Sequence, residues 1–241
     1  MSVPYDSYGI QLIFKDLLFP GKDGHCNQIT SRLGKFFKEF PNKIVSFFTS
    51  SDKQLAYLRE AMEKCGGIVA LITTVLTRWG TQVRQIQSIN KSSEALKAYA
   101  ERPDDDLHKP IQIKDTLYRN NDFWQQNVAL AAVLEPIHTH QKMSESNHAT
   151  LAKVYARWIA LNSHFQDFRK PGSGTWWQEI NNYYERVGRG GWNFRIEQQL
   201  LPIHFVAYML LPQNHAVILG DRFMKMVDDF ILVKCGQKGF Y

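Results

Sequence analysis

The sequence predicts a mainly α-helical protein, and three observations carry that expectation. Apolar residues recur at steps of three and four along nearly the whole chain, the spacing that gathers them on one face of a helix. Ser, Asp, Gly and Pro fall at the ends of these periodic stretches, where helices start and stop. Only one short apolar run, Ile68 to Ile72, reads as an isolated strand, and it is short enough to be extended coil instead.

Taken in order, the apolar positions Leu33, Phe36, Phe37, Phe40, Ile44, Phe47 and Phe48 follow helical steps, with Arg32, Lys35, Lys38 and Lys43 elsewhere on the wheel. Pro41 must kink this element or divide it, because a proline inside a helix lacks the N–H and crowds the preceding turn. Ser51 or Asp52 caps a short helix with Leu55, Leu58 and Met62 on its inner face, and Gly66–Gly67 stops it. Val83, Ile86 and Ile89 give the buried stripe of the next helix, and Ser92 or Ser93 with Glu94 restarts a turn carrying Leu96 and Tyr99.

The polar, proline-bounded stretch 101–110 is the clearest loop and a subdomain break. Asp122 is the expected cap of a helix running through Phe123, Trp124, Val128, Ala131, Leu134 and Ile137, with a kink at Pro136. The most regular stripe is Leu151, Val154, Tyr155, Trp158, Leu161, Phe165 and Phe168. Residues 169–176 read as a turn, Trp176 to Val187 as a helix, and Gly188 to Trp192 as a break. Gln198 to Pro212 is apolar on every side and is expected to be buried, and Gly220 to Lys234 is amphipathic.

At 241 residues with 44% hydrophobic side chains, the chain can bury one large core or two small ones, which excludes disorder as its default. No run is long enough to span a membrane, and the first ten residues lack the basic and apolar regions of a secretion signal, so an intracellular, non-secreted protein is expected. Cys26, Cys65 and Cys235 are odd in number and far apart, which argues against a disulfide framework or a cysteine zinc site and for buried, reduced thiols. The net charge of +6 permits a nucleic-acid partner without requiring one. Its distribution is more informative, since residues 1–100 hold 13 basic against 8 acidic side chains and the rest is nearly balanced.

No complete catalytic constellation is visible. His138 and His140 are two apart, whereas helical metal ligands need three or four, and His204 within an apolar run reads as a core histidine. Gly188 to Gly191 lacks the lysine and the preceding strand of a phosphate loop. Asp104 to Asp106 offer hard oxygens to a divalent cation but read more simply as a solvated loop. No cofactor is implied. Arg78–Trp79 has two readings. In one, Trp79 is a core residue at the start of a helix with Arg78 exposed; in the other, Trp79 is a flat face for an unpaired base while Arg78 neutralises a phosphate.

Six stretches in order and spacing, beginning at Tyr8, Asn42, Leu76, Asn121, Ala149 and Leu201, resemble the hAT superfamily of DNA transposases, most of all its domesticated or decayed members in fungi and oomycetes. The resemblance implies a helical insertion domain at 29–197, a remnant of an α/β ribonuclease-H-like domain at 1–28 and the start of a post-insertion segment at 198–241. Thr77, Arg78 and Trp79 match the family's T-R-W motif, whose tryptophan accommodates a flipped base. Arg84, Lys35, Lys38 and Lys43 are the expected electrostatic support.

The departures are equally informative. Tyr5 and Tyr8 stand where the family has C-x-x-H, the two catalytic aspartates have no counterpart in this sequence, and no glutamate follows Glu197, although Asp221, Asp228 and Asp229 do. Two-metal phosphoryl chemistry needs convergent carboxylates, so the resemblance implies a catalytically inactive, nuclear, transposase-derived protein that binds DNA. The alternative is a helical interaction module or vestigial fragment that does not bind DNA, docking a partner or a second copy through apolar surface at Tyr5–Phe19 and Ile203–Leu211.

Overall fold

A computed structural model describes residues 6–19, 31–67, 69–75, 80–102, 111–214 and 219–236. These residues form a mainly helical body, and no β-strand forms among them. The run at 68–72 that could have been a strand is extended coil where it is described, and Arg78, Trp79 and the aspartates at 104–106 lie outside the described residues.

Helix α1 (Asp6–Leu18) buries Ile10, Ile13, Phe14, Leu17 and Leu18. Of the apolar surface expected at Tyr5–Phe19, the described part is mostly core and Tyr8 remains exposed, because α1 packs against several later helices at once, the longest of them being Asn121–Glu145. After α1, α2 (Arg32–Glu39) starts on the cap of Ser31, whose Oγ accepts from the Gly34 N–H at 2.9 Å and donates to the Leu18 carbonyl at 2.9 Å. One hydroxyl thus closes the end of α1 and the start of α2. The approach is so close that a Cβ at Gly34 would collide with that same carbonyl.

Pro41 divides the next stretch: α2 ends before it and α3 (Pro41–Thr49) begins on it, the first helical position being one where proline's missing N–H removes no hydrogen bond. Helix α4 (Asp52–Lys64) is capped by Ser51 rather than Asp52, with its Oγ accepting from the Gln54 N–H at 3.4 Å. It stops where Gly66 and Gly67 take positive φ. Cys65, expected to be buried, is exposed, because the helix ends there and its side chain has no neighbour to pack on.

Helices α5 (Gly80–Lys91) and α6 (Ser93–Glu101) follow, and α6 packs on α4. There the Tyr99 hydroxyl donates to Gln54 Oε1 and Arg102 pairs with Glu60 at 2.8 Å. A short helix, α7 (Ile111–Lys114), widens into a π turn over Asp115–Arg119 before α8 (Asn121–Glu145). The cap of α8 is Asn120, not Asp122: Asn120 Oδ1 accepts from the Phe123 N–H at 2.9 Å, which places Asp122 inside the first turn, where its charge suits the positive end of the helix. The helix continues through Pro136, and the Val133 carbonyl in that turn accepts from His164 Nε2 at 2.9 Å.

Helix α8 is the spine, with α1, α5 and α9 (Leu151–Phe168) against it. The remaining helices are α10 (Trp177–Glu185), α11 (Trp192–Gln199), α12 (Pro202–Met209) and α13 (Asp221–Gly236). Helix α12 lies on α9 and carries α13 in turn. It buries His204 and Phe205 but leaves its other side chains half-buried, so it is less enclosed than its composition suggests, and Leu210 just after it is exposed. All contribute to one contiguous core from Ile10 to Val227, in which Trp192 sits between Trp158 (5.6 Å between centroids) and Phe165 (4.9 Å).

Two ion pairs fasten α1. Asp6 Oδ2 accepts from Arg157 Nε at 2.7 Å and Nη2 at 2.5 Å and from the Ser144 hydroxyl, while Oδ1 accepts from Trp158 Nε1 at 2.8 Å. Asp16 takes Arg195 in a bidentate grip at 2.5 and 2.9 Å. Replacing Asp6 by Ala strands a buried guanidinium without its partner, which typically costs about 3–5 kcal/mol. Urea unfolding followed by tryptophan fluorescence should show that loss, while a change under about 1 kcal/mol would assign α1 to apolar packing alone.

Candidate nucleic-acid interface

The first turn of α5 is held by two devices. Thr81 Oγ1 accepts from the Val75 N–H at 2.9 Å, so the chain on both sides of residues 76–79 is clasped together. Seven residues further along α5, Ser88 Oγ accepts from the Ile72 N–H at 3.1 Å. Three residues of extended chain and seven of helix both span about 10 Å, so Thr81 and Ser88 act as two rungs along which the extended segment 69–75 lies. Gln85, between the rungs, and Ser92, beyond them, continue this buried polar stripe. Val83, Ile86 and Ile89 are buried in the core as their spacing predicts.

The second device is steric. Gly80 rests against the imidazole of His138 on α8, and a Cβ at residue 80 would sit 2.6 Å from both Cε1 and Nδ1 of that ring. Gln141, one turn further along α8 and only 6% exposed, borders the same glycine, and its Nε2 donates to Glu145 Oε1 at 3.0 Å. Only a residue without a side chain lets α5 come this close to α8 at position 80.

Arg84, one turn along α5, is exposed and makes no ion pair among the described residues. Lys35 and Lys38 are exposed on α2. Lys43 is exposed in the first turn of α3, on the rim of a cleft of about 760 Å³ shared with Phe40, Phe47, Ile113 and Asp115. Of the described basic residues singled out in the sequence, Arg84 is therefore the one on α5, four residues after Gly80.

His138 has no metal partners; among the described residues no group of three or more His, Cys, Asp or Glu could hold an ion. Its imidazole is held below the usual histidine range by burial first and then by Lys142 and Arg84, with Glu145 and Glu135 opposing. Burial likewise lowers His140, His164 and His204. His204 is the core histidine its apolar surroundings suggest: its Nδ1 accepts from the Leu201 N–H at 3.1 Å. The glycines at 188–191 form a turn in which Arg186 Nη1 donates to the Gly190 carbonyl at 3.0 Å.

Sequence reasoning missed Gly80, Thr81, Ser88 and Gln141. The visible signal was a glycine at the start of a helix, where its lack of helix propensity has to be offset by something, followed at once by a short hydroxyl side chain. The chain matches no family model, no curated protein and no solved structure. No described helix is long and apolar enough to cross a membrane.

Gly80→Ala should destabilise the fold by about 1–3 kcal/mol, as overpacking does. The loss should shrink when His138→Ala is added, because the obstructing ring is gone. Denaturant unfolding of both single variants and the double variant measures this, and strictly additive effects would show that the ring is not what the new methyl meets.

Proposed function

We propose that this chain is a catalytically inactive relative of hAT-type transposases that binds DNA at the start of α5, with Trp79 stacking on an unpaired base and Arg78 and Arg84 neutralising phosphate. The observation that supports this most is the anchoring of both ends of segment 76–79, through the Thr81–Val75 clasp and the seat of Gly80 on His138. A four-residue segment tied at both ends can present a side chain at a defined place, which lowers the entropy lost on binding. Exposed Arg84, one turn after Gly80 on α5, adds a positive charge to the same helix. Lys35, Lys38 and Lys43 contribute to the long-range field and not to that contact. The ribonuclease-H-like ancestry of the two ends and a nuclear location belong to the same proposal, and a reaction is not part of it.

A fluorescence-anisotropy titration with single-stranded and hairpin DNA tests this. Trp79→Ala should weaken binding about 5- to 150-fold, the equivalent of about 1–3 kcal/mol per stacked base. Affinity should also fall steeply as salt rises, because phosphate contacts release counterions. Equal binding by both proteins, insensitive to salt, would refute the reading.

The second reading, a helical interaction module, has one observation in its favour. Three consecutive apolar residues near the end of α13 face solvent: Ile231 at 42%, Leu232 at 69% and Val233 at 55% exposure. If a second copy covers them, size-exclusion chromatography should show a dimer that Leu232→Glu converts to monomer, whereas a wild-type monomer across the concentration range would remove this reading.

A further inference from the structure

The imidazole of His138 is wedged where a cation is least welcome. Both ring nitrogens are closed to solvent and neither has a hydrogen-bond partner. The ring lies under Gly80, the first described residue of α5, and would-be Cβ contacts of 2.6 Å show that there is no slack between them. From α5 it is faced by Arg84; from its own helix by Lys142 on one side of the balance and by Glu135 and Glu145 on the other. Neither glutamate touches the ring, and Glu145 is already engaged by Gln141 Nε2 at 3.0 Å and by Gln11 Nε2 of α1 at 3.3 Å. A second proton would therefore add a charge to a buried ring that no hydrogen bond receives, with Arg84 and Lys142 opposing it; the unpaired Gln141 Oε1, which borders the same glycine, makes no bond to the seated ring.

We propose that His138 is an acid-sensitive wedge beneath α5: when the imidazole takes a second proton from solvent, the ring leaves its seat under Gly80, the first turn of α5 opens and the Thr81–Val75 clasp is released. The inference does not depend on the nucleic-acid reading, although it would regulate that site by unfastening both ends of segment 76–79. The direction follows from linkage. The seated ring binds its proton more weakly than a freed one, so opening takes up a proton, and falling pH favours the open form from about 6.5 downward until the lowered value of the seated ring is reached.

Amide hydrogen exchange measured by NMR on the full chain from about pH 7.5 to about pH 5, corrected for intrinsic exchange, tests this. The reporters are Val75, bonded to Thr81 Oγ1, and Arg84 and Gln85, whose helical acceptors lie in the first turn. Their protection should fall about tenfold for each pH unit below about 6.5, the slope of a single proton. In His138→Phe, which keeps a ring but cannot titrate, the same amides should hold their protection. The Cε1 signal of His138 itself should titrate below about 6.5, at the pH where the loss of protection levels off. Constant protection in the wild type, an unchanged decline in His138→Phe, or a ring that titrates without any loss of protection would each overturn the proposal.

Discussion

The fold depends on where α1 is tied down, and the Asp6 carboxylate does most of that tying. A carboxylate this enclosed is tolerable only if its lone pairs are filled, and here they are filled from α8 through Ser144 and from α9 through Arg157 and Trp158. Asp16 near the other end of the same helix grips Arg195 on α11. Each bond joins residues far apart in sequence, so α1 cannot settle until α8, α9 and α11 are in place. The apolar face of α1 provides bulk burial, while the two ion pairs fix its axial position and rotation.

With α1 fixed on one side, α8 presents its other flank to α5. That contact combines an apolar stripe with a polar one, and the polar stripe serves the extended segment 69–75 rather than the core. Backbone groups of this run need partners, and Ser88 and Thr81 each meet one of its N–H groups with a side chain. The outcome is an extended segment held against a helix by side-chain hydroxyls, with no β-strand among the described residues, and it ends next to the candidate interface.

The same arrangement ranks the basic residues. Arg84 is on α5, four residues after Gly80, whereas Lys43 lines a separate cleft between α3 and the π turn. Surface lysines at such distances act through the general field, which salt screens, and not through a defined contact. Around His138 burial is the leading influence and Lys142 and Arg84 add to it, while Glu145 and Glu135 oppose them, so the ring is held below the usual histidine range.

Helical class, the division at Pro41, the stop at Gly66–Gly67, the core stripe of α5 and the stripe of α9 from Val154 onward were determined by the sequence itself, while Leu151 at its start is exposed. Periodicity, proline sterics and glycine's freedom at positive φ are local properties, and they act the same way whatever surrounds them. Caps were legible only to within a residue or two: Asn120 and Asp122 are both good starters, and it is Asn120 whose side chain accepts from the Phe123 N–H. What tertiary structure alone decided is every pairing over long separation: Asp6 with Arg157, Asp16 with Arg195, Ile72 with Ser88, and Gly80 with His138. A polar residue in a sequence carries no mark of whether it will face water or a partner, because that depends on which helix is brought against it. His138 shows the point most clearly, since its spacing from His140 spoke only against a metal, and its position under Gly80 arises from the crossing of α5 and α8.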